Sequence, residues 1–193
     1  MIHSKILKNV GIDVNYMNNK SYQIGSEVTV KESLVQGKGV FALRDFKKDE
    51  LVYVVPRGRF VKKSEVKGLS EYEKEHLDRV DVDTYELMQE PACFINHSCE
   101  PNIIEKLMPK GIEGYAFRNI KNGEEVGVDY RVRGFDDWKM NCKCGSKFCT
   151  GIVIGNFFTL SLKLQKKYLP FAPKFIQEEF EKKKKARCKT PRF

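Results

Sequence analysis

No stretch of this 193-residue chain approaches the ~20 consecutive apolar residues that cross a bilayer as a helix. The first twenty residues, MIHSKILKNVGIDVNYMNNK, also lack the apolar run of a secretory leader. These absences argue against a membrane protein and predict an intracellular one, nuclear in a eukaryote and otherwise cytoplasmic or an exported effector. There is no internal repeat, which excludes solenoids and propellers, and no low-complexity linker beyond one lysine run. The length suits one compact domain with a small appendage and leaves no room for two full domains. In a reducing compartment the six cysteines are more readily free, metal-bound or catalytic than disulfide-paired.

What is present is the composition of a folded globular chain, 41% hydrophobic and 32% charged. The formal charge is +9, and residues 172–193 supply +5 of it, with eight basic side chains (among them Lys182, Lys183, Lys184, Lys185, Arg187 and Lys189) against three acidic ones. A solvated, frayed helix end accounts for such a run. Its functional reading is a nucleic-acid or nucleosome contact through residues 182–189.

From residue 22 to 61, short runs of Val, Tyr, Phe and Ile are cut by Gly and Pro, the pattern of strands and turns. Residues 64–79, SEVKGLSEYEKEHLDR, are charged and helix-compatible with Ser70 as an N-cap, so a helical insertion is expected over about 60–92. Asn122-Gly123 marks a turn ahead of EEVGVDY. Beyond residue 156 the apolar spacing turns helical, and Pro173 starts a C-terminal helix.

CKCGSKFC places Cys142, Cys144 and Cys149 in a C-x-C-x4-C arrangement. Three thiolates this close suit one tetrahedral zinc ion, but a closed structural site needs four ligands. The remaining candidates are Cys93, Cys99, Cys188, His3, His76 and His97. Cys99, just before Glu100-Pro101 at a strand-to-turn corner, is the choice: a shared ion would then staple the C-terminal module to the core. The alternative is a set of reduced structural cysteines.

Four segments, GKGVFA (37–42), NHSCEPN (96–102), RNIKNGEEVGVDY (118–130) and CKCGSKFCTG (142–151), stand in the order and spacing of SET-domain protein lysine methyltransferases with a post-SET zinc module, which the chain resembles over about residues 28–151. The resemblance implies a mainly β (β+α) fold of short curled sheets with a pseudoknot, a small post-SET zinc module and C-terminal helices. It divides the chain into an extension (1–27), the SET domain (28–135), the zinc module (136–155) and a helical segment with a basic tail (156–193). It further implies S-adenosyl-L-methionine as methyl donor, bound by Lys38, Gly39, Val40, Asn96, His97 and Tyr130, with Tyr130 as catalytic residue. Zinc would sit on Cys99, Cys142, Cys144 and Cys149.

The substrate lysine must lose its proton, so an aromatic channel is expected, with Tyr85, Phe94, Tyr115 and Phe117 as candidates. Trp138 is either a core residue or part of a lid. The partner implied is a protein presenting a lysine, a histone tail by family analogy. The competing functions are methylation of a non-histone protein and a weakly active chromatin-binding or partner-binding module.

Overall fold

The computed structural model describes residues 27–189, with side chains to residue 186. All but the last residue of the expected 1–27 extension lies outside the described residues, as do His3 and the side chains of Arg187, Cys188 and Lys189.

In chain order the strands are β1 (Val28–Glu32), β2 (Lys38–Ala42), β3 (Leu51–Pro56), β4 (Arg59–Lys62), β5 (Leu77–Asp81) and β6 (Thr84–Leu87). They continue with β7 (Asn96–His97), β8 (Ile103–Met108), β9 (Gly111–Ala116), β10 (Glu125–Val128), β11 (Phe135–Asn141) and β12 (Ile152–Asn156). They assemble into sheets of order β1-β2-β10-β7, β3-β9-β8 and β4-β6-β5, plus the β11-β12 hairpin. The first sheet carries the crossing: β10 is antiparallel to β2 but parallel to β7, with Gly127 opposite Asn96 and Val128 opposite His97. A parallel pair of two-residue contacts needs outside support, and Asn102 supplies it. Its Nδ2 donates to the Glu125 carbonyl at 2.9 Å and its Oδ1 accepts from the Gly127 N–H at 2.8 Å, acting as an extra rung beside β10.

The expected helical insertion is corrected by the structure. Helix α1 covers only Glu71–Glu75, and the rest of the segment is the β4-β6-β5 sheet with short turns. Ser70 does cap α1, accepting from the Glu73 N–H while Glu73 answers the Ser70 N–H at 3.0 Å, a capping box. Strand geometry wins after His76. There Thr84 and Glu86 alternate inward with Tyr85 and Leu87 only partly covered, a period of two that the high charge content hid.

Strand β8 divides two cores. Ile103 faces a cluster that includes Val40, Phe46, Tyr53 and Val126, whereas Ile104, on the other face, joins Val132, Phe157, Tyr168 and Ile176. Helices α2 (Leu162–Tyr168) and α3 (Lys174–Lys189) close the second core, and α3 begins directly after Pro173 as predicted. Beyond Phe180, α3 turns polar, and Lys182–Lys185 are exposed.

Candidate active site and metal centre

Tyr130 follows β10 directly, in a short helical turn capped by Asp129, whose carboxylate accepts from the Arg131 N–H and holds its guanidinium through two contacts of 2.8 Å. This pair fixes the backbone beside Tyr130. The Tyr130 N–H donates to His97 Nδ1 at 3.2 Å, and its hydroxyl donates to the Ile95 carbonyl at 2.7 Å. Both ends of the tyrosine are therefore tied to the opposite crossing segment. Burial pushes its hydroxyl pKa above the ordinary tyrosine range, with the charges of Glu105 and Asp78 adding to the rise. His97 is buried, and that burial depresses its pKa to about 4 against the pull of Asp129, so the ring is neutral at pH 7. Because Nδ1 accepts from Tyr130, Nε2 carries the proton and faces Cys99 Sγ at 3.3 Å.

Tyr130 lines a cavity of about 490 Å³ together with Tyr85, Trp138 and apolar side chains from β5, β8 and β10. Trp138 lies on β11, 42% exposed, with its ring centroid 6.4 Å from that of Tyr130. A Cβ at Gly155 on the partner strand would come within 2.0 Å of the indole, so glycine there is what seats the ring at the cavity mouth. A charged network forms part of the cavity wall. Arg133 bridges Asp78 Oδ2 (2.9 Å) and Glu105 Oε2 (2.6 Å), and the Tyr53 hydroxyl donates to Glu105 Oε1 at 2.7 Å. Tyr53 reaches across β9 only because Gly114 has no side chain; a Cβ there would lie 2.2 Å from the tyrosine ring.

The four thiols of Cys99, Cys142, Cys144 and Cys149 lie within 4.8 Å of one another and could hold one metal ion. The Cys99 and Cys142 sulfurs are 3.8 Å apart. Burial would raise the Cys144 thiol, but the amides of Cys99 and Ser146 and the neighbouring thiols hold it down to about 7. The β11-β12 hairpin carries the three-cysteine loop, and Cys99 comes from the turn after β7.

The predicted residues divide. Asn96 and His97 line a second cleft of about 330 Å³ that also takes in Ser98, Gly127 and the Cys144–Ser146 loop. Lys38, Gly39 and Val40 do not line it: Val40 is fully buried, and a Cβ at Gly39 would strike Glu125, which the Asn96 amide also contacts at 2.8 Å. Of the channel candidates, Tyr85 lines the larger cavity. Phe94 packs against the first core, and Tyr115 and Phe117 against the second. Sequence reasoning missed Asp78, Glu105, Arg133 and Tyr53. The signal for Asp78 and Glu105 was a charge within a strand with no obvious solvent face, and nothing local marked Arg133 or Tyr53.

Residues 37–131 match the SET domain. Among curated relatives, the chain is 33% identical over 135 residues to the histone-lysine N-methyltransferase trithorax of Drosophila virilis, covering 63% of this chain and 3% of that protein. It is 34% identical over 135 residues to human histone-lysine N-methyltransferase 2B, covering 63% and 5%. It is 45% identical over 64 residues to the Caenorhabditis elegans histone-lysine N-methyltransferase set-2, covering 31% and 4%. The chain thus spans only a few per cent of the length of these relatives, 3% to 5%. A crystal structure from Plasmodium falciparum, of a protein put forward as a histone methyltransferase, aligns with a TM-score of 0.45 at 24% identity over 54% of this chain and 92% of that one. Among the described residues no helix is long and apolar enough to cross a membrane. Residues 37–131, which hold the parallel Asn-His crossing and the tyrosine that closes it, are a SET domain.

Proposed function

We propose that the chain is an S-adenosyl-L-methionine-dependent protein-lysine N-methyltransferase acting on a histone or another basic tail. The observation that carries this reading is the placement of Tyr130, tied through both its N–H and its hydroxyl to the crossing segment and lining the 490 Å³ cavity. The same crossing segments wall the second cleft, so two sites of different character lie against one junction.

The second cleft suits the cofactor. Amides from Asn96 and Asn102 and carboxylates from Glu100, Glu124 and Glu125 offer donors and acceptors for a nucleoside and an amino-acid end, within a volume of the order of ligand sites generally. The cofactor, when bound, supplies a methyl group already activated on a sulfonium, so the protein's work is alignment and exclusion of water. Tyr130 orients the amine, and its raised pKa keeps the hydroxyl protonated at neutral pH. Ile95, Val128, Val132 and Met140 give the larger cavity apolar walls, which disfavour the ammonium form once water is excluded. Trp138 closes the mouth as part of a lid.

Zinc suits the four thiols. A tetrahedron with metal–sulfur bonds of about 2.3 Å has sulfurs about 3.8 Å apart, the separation of Cys99 and Cys142. The ion would join the hairpin module, proposed as residues 136–155, to the crossing. The names of the relatives favour a histone substrate, and the exposed lysines of α3 could hold nucleic acid to which such a substrate is bound.

The test is transfer of tritiated methyl from S-adenosyl-L-methionine to core histones, whole nucleosomes and a cell extract. Label on histones or nucleosomes supports the reading, and label confined to other proteins moves it to a non-histone target. No label anywhere, the enzyme included, refutes it.

A further inference from the structure

Among the buried and half-buried carboxylates and guanidiniums in and around the cavity beside Tyr130, the carboxylates outnumber the guanidiniums by one; of the other charges in its wall, Glu75 is exposed and Lys74 pairs with Glu71. Glu86 is matched by Arg57, Asp136 by Arg79 and Asp129 by Arg131. Asp78 and Glu105, by contrast, share the single guanidinium of Arg133. Glu105 is also completed by the Tyr53 hydroxyl. Asp78 is not: its Oδ2 and Arg133 NH1 are close but badly aligned, and both atoms are buried without a hydrogen-bond partner. An excess buried charge with spare acceptor capacity is costly unless a further cation meets it.

The surroundings define that cation. Asp78 and Tyr130 line the same cavity, whose other walls include Leu77, Met88, Ile95, Val128, Val132 and Met140. One unmatched carboxylate in a cavity with these apolar walls fits one monovalent head on an aliphatic stem. We propose that Asp78 is a positioning residue that receives the ammonium of the substrate lysine and so selects the cationic amine at entry. The identity of the ligand rests on the methyltransferase reading; the charge excess and the lining of the cavity do not.

The groups facing Asp78 are Arg133 after β10, Glu105 on β8, Glu86 on β6 and the Arg79 amide on its own strand. Burial raises Asp78 to about 6, with the two glutamates adding and Arg133 opposing. The carboxylate is therefore ionised at pH 7.5 and mostly protonated at pH 5, while His97 stays neutral across this window.

Trp138 is the single tryptophan of the chain and lines the cavity, so its emission reports occupancy. The full chain, without cofactor, is titrated with n-butylammonium, the free head and stem of a lysine, and with 1-butanol as its neutral counterpart. At pH 7.5 the wild type is expected to saturate at a concentration of butylammonium at least tenfold lower than of butanol. Asp78→Asn brings the two within about twofold, and Glu75→Gln, at an exposed position of the same cavity, leaves the preference intact. Wild type at pH 5 loses the preference as well, which checks the assignment without any substitution. No saturable change with butylammonium, equal affinities in the wild type, or a preference that survives in Asp78→Asn or at pH 5 would overturn it. None of these readouts needs turnover. A chain that prefers butylammonium yet transfers no methyl loses the methyltransferase reading and keeps the cation site; the reverse result removes Asp78 alone.

Discussion

Asp78 titrates against the fold it belongs to. Its unfolded pKa is about 3.9 and its folded pKa about 6, so between these values the folded state holds a proton that the unfolded chain has released. The stability linked to that proton is fully present below about pH 3.9 and is lost as the pH rises through 6. At neutral pH the ionised side chain therefore weakens the fold, by up to about 3 kcal/mol for a shift of two units. Asp78→Asn should raise the urea midpoint at pH 7.5, by an amount equivalent to about 1–3 kcal/mol, and change it little at pH 4. A lower midpoint at pH 7.5 would mean that the ion pair with Arg133 outweighs burial. This residue was not legible in LDRVDVD, because its meaning depends on Arg133 and Glu105, which lie on distant segments. That Asn96, His97 and Tyr130 stand together at the crossing was legible, since the two motifs that carry them are local.

At the scale of elements, β9 and the β11-β12 hairpin carry the site. Gly114 gives Tyr53 its route over β9 to Glu105, and a Cβ at that position would meet the ring at 2.2 Å. Gly114→Ala should destabilise the domain by about 1–3 kcal/mol, the cost of overpacking a tight core, and Tyr53→Ala in the same chain should recover much of that loss in a double-mutant cycle. Additive losses would place the strain elsewhere. For the hairpin, metal analysis should find about one zinc per chain, lost on Cys142→Ser and equally on Cys99→Ser. Retention of zinc in Cys99→Ser would remove the link between module and crossing. The cysteine loop was readable because three of its thiols sit within eight residues of sequence. The β4-β6-β5 sheet was not, because the capping box at Ser70 is a true helix signal that governs only one short helix before cross-strand pairing takes over.

In the whole molecule, the β10–β7 crossing is the junction on which everything else hangs. One core packs behind it through Val126 and Val128, the thiol cluster attaches beside it through Cys99, and the two cavities open along it. The second core, built by the C-terminal helices on the far face of β8, supports Val132 just beyond Tyr130. The mainly β character and the C-terminal helix were legible from short apolar runs and a late change to helical spacing. The docking of that helix behind β8 was not, since nothing in its sequence names the strand it covers. The central claim is that Tyr130 at this junction carries out lysine methylation, and the most direct test is methyl transfer to histones by wild type and Tyr130→Phe, with cofactor affinity measured on both. The expected result is transfer reduced at least tenfold, or a changed number of methyl groups per lysine, with cofactor affinity within about threefold of wild type. Unchanged rate and unchanged product in Tyr130→Phe would contradict it.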